Sequence, residues 1–351
     1  MEQFRKIEEI GRGAYGIVWK AINKQTNEVV AIKKLFETYY TIEECINLRE
    51  VKSLIKMKNH PNIVSLKQII RQNDTLFLVF EYMERDLYKT IQDRIMKPFK
   101  ETEIRDMCFQ VFKGLAYMHS NGYFHRDIKP GNILVSKDVI KICDLGQAKE
   151  INGEPPYTPE VSTLWYRAPE VFLDAPVYNS AVDMWAIGAI MVELFTLEPL
   201  FKGDLEIDVM YKICSVLGTP TKSTWDRGLD LARKINYEFP KDFLGVKFSK
   251  LLPNASSDVV DLIVLLLLWD PNMRPTAIET LQHPFFDGCY NVPKTVFIKK
   301  STTRSLESGS SGSETIASRE DPIKFFTKRV VDPREDSIIC SQKIHNLTSK
   351  M

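Results

Sequence analysis

Apolar and polar residues alternate in short runs along the first part of the chain. Three runs, at residues 17–22, 28–35 and 75–82, are dense in β-branched and aromatic side chains. Such side chains suit the pleated surface of a sheet, so these runs are predicted strands. Between the second and third runs, apolar residues recur at helical spacing over 41–57, which indicates one helix. The pattern predicts a small β-rich unit over residues 4–82.

The period of the pattern changes after residue 83. Apolar residues recur at spacings of three and four over residues 104–119 and 182–195, as expected for helices with buried faces. The longest apolar run, Leu262 to Trp269, is too short to cross a bilayer and is a predicted buried helix. These segments predict a larger helical unit over residues 83–286, and the fold class is α+β.

The composition of the chain changes again beyond residue 286. Residues 301–321 are rich in Ser, Thr and Gly and contain few large apolar side chains. A segment of this kind cannot bury enough apolar surface to offset the entropy of ordering. We therefore predict a disordered Ser/Thr/Gly-rich tail over residues 289–351.

Charge and cysteine content exclude several classes of protein. The 47 basic and 46 acidic residues leave a net charge of +1, so no global field favours nucleic acid or a membrane surface as a partner. The six cysteines are scattered without a C-x-x-C pair, and the N-terminus lacks an apolar signal core. An intracellular location, in the cytoplasm or the nucleus or both, is the expectation.

A glycine motif lies near the N-terminus. Gly11, Gly13 and Gly16 have the G-x-G-x-x-G spacing, which alone fits an ordinary hairpin turn equally well. β-branched residues follow the third glycine, so the turn joins two strands and forms a flap rather than the start of a helix. Lys33 in the next strand and Glu50 in the predicted helix follow in an order that suits the binding of nucleotide phosphates.

Two further motifs make the combination specific. The segment YFHRDIKPGNILV supplies Asp127, Lys129 and Asn132, and IKICDLGQA supplies Asp144. With the flap, Lys33 and Glu50, these motifs resemble the eukaryotic protein kinase family over about residues 4–286, in both order and spacing. The resemblance implies a bilobal protein kinase fold, with an N-lobe at 4–82 and a C-lobe at 83–286.

The resemblance also implies a role for each residue and names ATP and Mg²⁺ as cofactors. Asp127 would accept the proton of a substrate hydroxyl, and Lys129 would neutralise charge on the transferred phosphoryl group. Lys33 would bind the phosphates, and Glu50 would hold the Lys33 side chain in position by an ion pair. The metal ligands would be Asn132 and Asp144. The implied ATP-binding residues are Ile10, Gly11, Gly13, Gly16, Val18, Ala31, Lys33, Glu81, Met83, Asp86 and Leu134.

Other segments resemble one group within that family. EIDVMYKICSVLGTP and LLPNASSDVVDLI are similar to the cyclin-dependent and mitogen-activated kinases, and TLWYRAPE resembles the cyclin-dependent kinases. TIEECINLREVKSL, EPPYT and LPNASS resemble the male germ cell-associated and intestinal cell kinases. Two residues depart from the family pattern without removing a catalytic charge: Leu145 replaces a phenylalanine, and Gln147 stands where leucine is common. A buried pair between Glu170 and Arg274 is also implied.

The loop before WYRAPE contains a predicted switch. Thr158 is followed by Glu160, where this family has T-x-Y, and Leu164 replaces an arginine. We predict that phosphorylation of Thr158 adds charge that a set of cations can hold. The predicted cations are Arg49, Arg126 and Lys149. Lys149 stands where arginine is common and cannot make the same bidentate contact.

Several alternatives remain open from the sequence. Tyr15 in the flap is either a packing residue or a second, inhibitory phosphorylation site. TIEECINLRE lacks the cyclin-binding P-S-T-A-I-R-E motif, and this absence disfavours a cyclin partner without excluding one. The resemblance implies protein substrates with Ser or Thr before proline, an upstream activating kinase, and a role at the cilium. A pseudokinase scaffold is the alternative from another class.

Overall fold

The computed structural model of the chain describes residues 1–151 and 164–289. Residues 4–81 contain a five-stranded antiparallel sheet whose strands are ordered β1-β2-β3-β5-β4. The strands are β1 (Phe4–Gly13), β2 (Gly16–Asn23), β3 (Val29–Thr38), β4 (Leu66–Gln72) and β5 (Thr75–Glu81). The predicted β-rich unit is confirmed.

The single helix predicted over residues 41–57 is wrong, because the structure has two helices there. They are α1 (Ile42–Asn47) and α2 (Arg49–Lys56), and Leu48 between them has φ −56° and ψ 134°. Ile46 and Asn47 have low helix propensity. The N–H of Leu48 donates to the carbonyl of Cys45 (3.4 Å), so the break leaves that group satisfied. Arg49 and Glu50 consequently lie in the first turn of a new helix.

The remainder of the described chain is mainly helical. Its helices are α3 (Leu87–Gln92), α4 (Glu101–Ser120), α5 (Pro169–Phe172), α6 (Ala181–Thr196), α7 (Glu206–Leu217), α8 (Lys222–Lys234), α9 (Phe248–Leu251), α10 (Ser257–Leu266) and α11 (Ala277–Thr280). Almost every residue of α6 is buried, as expected for a helix that is apolar on all sides. α4 and α10 pack against it, and Trp185 of α6 stacks on Phe201 with 5.5 Å between the ring centroids.

Short strands connect the two lobes and support the site between them. They are β6 (Arg85–Asp86), β7 (Tyr123–Phe124), β8 (Ile133–Ser136), β9 (Val139–Ile142) and β10 (Lys149–Glu150). β6, β8 and β9 form one small sheet, and β7 pairs with β10. The turns that leave β7 and β9 carry the two acidic motifs, so this arrangement places both motifs beneath the five-stranded sheet.

One hydrophobic core extends through both lobes. Leu54, Leu66, His125 and Leu145, from the sheet side and the helical side, are all buried within or beside it. A second cluster covers the other face of the sheet and includes Phe4, Ile32 and Phe77. The bilobal kinase fold predicted from the sequence is confirmed.

The apolar run at 262–269 is only partly helical, because α10 ends at Leu266. Among residues 1–151 and 164–289, no helix is long and apolar enough to span a membrane. The predicted tail lies outside the described residues except for Cys289, whose N–H donates to the carbonyl of Phe286 (3.0 Å).

Candidate active site

The flap predicted from the glycine motif is the hairpin of β1 and β2. Gly16 is required there by close backbone contact, since a Cβ at this position would lie 2.2 Å from the carbonyl oxygen of Lys34. Gly11 and Gly13 have no such restriction: Gly13 has no atom within 4 Å of an added Cβ. The flap covers one end of a cavity of about 550 Å³.

Lys33 connects the two lobes at the centre of this cavity. Its Nζ lies 2.7 Å from Oε1 of Glu50 in α2 and 3.0 Å from Oδ1 of Asp144. Burial alone would lower the pKa of Lys33, but the two carboxylates outweigh it and raise the pKa above its usual value. The same ammonium lowers the pKa of Asp144, although burial opposes this shift. The lysine and Asp144 are therefore charged at neutral pH.

The loop at residues 125–132 presents Asp127 to the cavity. Its Oδ2 accepts hydrogen bonds from Nζ of Lys129 (2.8 Å) and Nδ2 of Asn132 (2.9 Å). Nδ2 of Asn132 also donates to the backbone carbonyl of Asp127 (2.8 Å), which fixes the loop. Three of the predicted catalytic and metal-binding residues thus form one hydrogen-bonded group.

Asp183, at the start of α6, holds this loop from below. Its carboxylate accepts the backbone N–H groups of His125 and Arg126, both at 2.8 Å, and also contacts Nε2 of His119 (2.9 Å). Burial would raise the pKa of Asp183, but the hydrogen bond and charge of His119 hold it below its usual value. A buried carboxylate therefore orients the loop, and Arg126 has φ +70° as a result of the turn.

His125 fixes the neighbouring motif as well. Its Nδ1 accepts the N–H of Asp127 (3.2 Å), so Nε2 carries the proton that is donated to the carbonyl of Cys143 (2.9 Å). Asp144 follows directly, in the left-handed conformation with φ +59°. One imidazole thus sets the relative position of Asp127 and Asp144.

The predicted adenine-binding residues lie at the junction of the lobes. Val18 of β2 is opposite Lys33, Ala31 of β3 is opposite Phe80 of β5, and Leu134 of β8 is opposite Asp86. Met83 is buried just after β5, whereas Ile10 is half-buried in β1.

Two members of that set have contacts that the sequence did not predict. The carboxylate of Glu81 accepts the N–H of Ser65 (2.7 Å) and lies 2.8 Å from Nζ of Lys141. Asp86 caps α3, since its Oδ1 accepts the N–H of Lys89 (2.7 Å). One oxygen of Asp86 is therefore used within the protein.

The three predicted phosphate-holding cations, Arg49, Arg126 and Lys149, form what we call the cation cluster. The pKa of Lys149 is lowered by burial and by the charges of Arg126 and Arg49, so the three groups lie within electrostatic range. Arg126 donates through Nε to the carbonyl of Gln147 (2.7 Å) and through Nη1 to Tyr178 (3.2 Å). Its Nη2 is buried and has no hydrogen-bond partner in the described part of the chain. Thr158 and Glu160 lie outside the described residues.

The end of the same loop packs on the helical lobe. Nε1 of Trp165 donates to the carbonyl of Gly203 (2.7 Å), and Arg167 pairs with Glu206 of α7 (2.6 Å). The predicted buried pair is present: the two terminal guanidinium nitrogens of Arg274, Nη1 and Nη2, contact the carboxylate of Glu170, at 2.7 and 2.8 Å.

Sequence reasoning missed several residues that support the site. His119, Tyr178 and Ser65 contact site residues from distant parts of the chain, and no local motif indicated them. Glu193 is another unpredicted residue: it is buried, and its carboxylate accepts only the hydroxyl of Tyr166 (2.7 Å) among the described residues. Burial raises the pKa of Glu193 to about 7.

Comparison with known proteins identifies the family. Residues 4–286 match the family described as protein kinase domain. The chain belongs to the protein kinase family. Cyclin-dependent kinase F-4 of Oryza sativa subsp. japonica is 56% identical over 296 residues, which cover 84% of this chain and 64% of that kinase.

Two mammalian kinases are also similar. Serine/threonine-protein kinase MAK of Mus musculus is 47% identical over 287 residues, covering 82% of this chain and 46% of that kinase. Serine/threonine-protein kinase ICK of Rattus norvegicus is 48% identical, covering 82% of this chain and 45% of its own length. The predicted resemblance to this kinase group is confirmed, and the chain spans between about half and two thirds of these relatives.

Proposed function

We propose that the chain is a serine/threonine protein kinase that transfers the γ-phosphoryl group of ATP to hydroxyl groups of proteins. The observation that carries this proposal is the convergence of Lys33, Asp127 and Asp144 on one cavity beneath the flap. Phosphoryl transfer depends on positioning and on charge stabilisation, and these three side chains provide both.

Asp127 is the proposed base and orienting group for the substrate hydroxyl. Lys129 and Asn132 both donate to its Oδ2, so the carboxylate has a fixed orientation, with Oδ1 left to accept a hydroxyl proton. Lys129, once a substrate is bound, is the nearest cation to stabilise negative charge on the transferred group.

Asn132 and Asp144 fit a magnesium ion bound together with ATP. Mg²⁺ in such sites takes one or two protein ligands and completes its octahedron with phosphate oxygens and water. Asn132 donates through Nδ2, which leaves its Oδ1 as an acceptor, and Asp144 uses Oδ1 for Lys33. When bound, the ion would neutralise charge that develops on the phosphates. Lys33 would contact the α and β phosphates, with Glu50 limiting its rotation.

We propose substrates with serine or threonine followed by proline. Lys129 two residues after Asp127 favours Ser/Thr over tyrosine, and the relatives named above are called serine/threonine or cyclin-dependent kinases. Leu164, where related kinases have arginine, is half-buried against the core and so contributes packing rather than charge.

Activation by phosphorylation of Thr158, by an upstream kinase, is part of the proposal. The cation cluster supports it, because three like charges held close together are stabilised when an anion joins them. The buried Nη2 of Arg126, which lacks a partner among residues 1–151 and 164–289, is one donor for such an anion.

A cyclin subunit is not part of the proposal. Contact between Glu50 and Lys33 is the feature that a helix-docking partner would have to create, and this contact is present in the single chain. Cyclin-dependent kinase F-4 carries cyclin dependence in its name, so copurification with a cyclin is the observation that would change this conclusion.

The experiment is phosphate transfer from labelled ATP and Mg²⁺ to a degenerate Ser/Thr peptide library. Wild type is compared with Asp127→Asn and Thr158→Ala, and with Asp138→Asn as a matched surface control. We expect loss of transfer in Asp127→Asn, reduced transfer in Thr158→Ala, unchanged transfer in Asp138→Asn, and proline after the phosphorylated residue. Failure of wild type after treatment with an activating kinase would refute the proposal and favour a scaffold.

A further inference from the structure

The tip of the flap touches the segment that follows Asp144. Nε2 of Gln147 donates a hydrogen bond to the hydroxyl of Tyr15 at 3.2 Å, across 132 positions of sequence. Tyr15 belongs to the sheet lobe, and Gln147 ends the short turn Leu145–Gln147 in the helical lobe. A leucine, which is common at position 147 in related kinases, has no group that could make this contact.

The backbone is fixed at both ends of this contact. Gly16 packs so tightly on Lys34 that no side chain fits, and the N–H of Phe36 donates to the carbonyl of Tyr15 (3.1 Å). At the other end, the carbonyl of Gln147 accepts Nε of Arg126 (2.7 Å). The flap tip is thus held to β3, and Gln147 is held to the loop that carries Asp127.

The glutamine also carries an unfavourable feature. Its Oε1 is buried and has no hydrogen-bond partner among the residues that the structure describes. An unsatisfied buried acceptor lowers stability, and an apolar side chain of similar size would avoid this loss. Compared with an apolar side chain, the glutamine loses stability through its unsatisfied Oε1 but gains the hydrogen bond to Tyr15.

We propose that Gln147 is a positioning residue that holds the flap closed over the ATP phosphates through Tyr15. This inference rests on the proposed function, since the flap has a ligand to cover only if the cavity holds ATP. A contact formed only in the closed position raises the closed population, and ATP that binds the closed form then binds more tightly. Tyr15 thereby gains a role that neither packing alone nor phosphorylation gives it.

The test is ATP binding measured by calorimetry with Mg²⁺, together with the KM for ATP and for peptide. The variants are Gln147→Leu, Tyr15→Phe and the double variant, with Tyr40→Phe as a control for an exposed tyrosine away from the contact. Gln147→Leu retains the backbone carbonyl that Arg126 contacts, and it removes the flap contact together with the unsatisfied Oε1. Tyr15→Phe removes the flap contact alone. The protein is produced in a host without tyrosine kinases, and thermal unfolding checks that each variant is folded.

We expect each single change to weaken ATP binding by about 2- to 5-fold, as for one partly exposed hydrogen bond. The KM for peptide should not change, and the double variant should bind ATP no more weakly than the weaker single variant, because both changes remove the same contact. Tyr40→Phe should match wild type.

Three results would overturn the inference. They are unchanged ATP affinity in both single variants, tighter binding in either, and a double variant whose loss equals the product of the single losses. This experiment also separates failure of the inference from failure of the proposed function. If ATP affinity depends on Gln147 and Tyr15 as expected but the protein transfers no phosphate, the flap contact is supported and the kinase activity is refuted.

Discussion

Two ion pairs of equal length, one in each lobe, are built for different purposes. Lys33 contacts Glu50 at 2.7 Å, and Arg274 contacts Glu170 at 2.7 Å. Both side chains of the second pair are almost completely buried, at 0% and 3% exposed, whereas those of the first are 13% and 11% exposed. Distance alone therefore does not separate a structural pair from one that lies in a site.

The partners around each pair account for the difference. Arg274 donates to three backbone carbonyls in addition to Glu170, those of Leu268, Ala181 and Trp269. Its charge is fully used within the protein. Lys33 instead divides its ammonium between Glu50 and Asp144 and lines the cavity, so it can also contact a phosphate. We call Arg274–Glu170 the saturated pair, which stabilises the fold, and Lys33–Glu50 the shared pair, whose lysine is also available to bind a ligand.

The largest effect is expected from breaking the saturated pair. Arg274→Met leaves Glu170 buried without a cation, and we expect a loss of about 3–5 kcal/mol in the free energy of unfolding. Chemical denaturation measures it. The double change Glu170→Leu with Arg274→Met is the control. It should recover the part of the loss that comes from the buried charge, while the three carbonyls still lack the donor that Arg274 supplied. Equal stability of Arg274→Met and wild type would contradict the structural assignment.

Breaking the shared pair should affect activity rather than stability. Lys33→Met removes the cation beside the phosphates, and we expect kcat to fall by about 10²–10³-fold, as for loss of one preorganised electrostatic contact. The free energy of unfolding should fall by less than in Arg274→Met, because the side chain of Asp144 is 42% exposed and the buried Glu50, whose pKa burial raises, can take up a proton. Lys34→Met, the next residue along β3 and on its other face, is the control. A large loss of stability without loss of activity would reverse the comparison.

A buried carboxyl without a cation sharpens the comparison. Burial raises the pKa of Glu193 to about 7, above its value in the unfolded chain, so the folded state retains a proton that the unfolded state has lost. This stabilisation is complete below about pH 4.5 and is lost as the pH rises towards 7.

Glu193→Gln removes that dependence and keeps an acceptor for Tyr166. We expect the variant to be more stable than wild type by about 2–3 kcal/mol at pH 8, with the difference disappearing near pH 4.5. Denaturation across this pH range measures it, and the exposed Glu238→Gln serves as the control. A stability difference that is independent of pH would show that Glu193 is ionised throughout.

The smallest effect concerns the break at Leu48. Thr41 caps α1 and accepts the N–H of Glu44 (3.1 Å), so Thr41→Ala should cost about 1 kcal/mol of stability. Because the break separates α1 from α2, the contact between Lys33 and Glu50 should persist. We therefore expect kcat to stay within about 2-fold of wild type, which corresponds to a change of a few tenths of a kcal/mol in the activation free energy. If kcat fell as far as in Lys33→Met, the two helices would act as one.

Local pattern was sufficient for much of the fold and for the chemistry of the site. Period-2 and period-3.6 patterns located the sheet and the long helices, since each element must present an apolar face to the core. The residue types and spacings of the flap, Lys33, Asp127 and Asp144 indicated the family by resemblance, because protein kinases carry these phosphate-binding and catalytic groups in this order along the chain.

Local pattern failed where backbone geometry depends on distant contacts. The break at Leu48 is invisible in a continuous amphipathic pattern, and the end of α10 at Leu266 lies within an apolar run. The carboxylate of Glu81 is already in use as an acceptor, which the sequence could not reveal because its partners Ser65 and Lys141 are distant along the chain.

Residue types and their spacing are enough to show which groups the protein has for its chemistry: a glycine flap, one lysine, and acidic residues at fixed spacing. How these groups share charge and hydrogen bonds depends on the packing of the folded chain. Pairs such as Asp183 with His119, and Tyr15 with Gln147, join residues that are far apart along the chain. Their energies depend on distance and burial, and both are set only when the two lobes pack together.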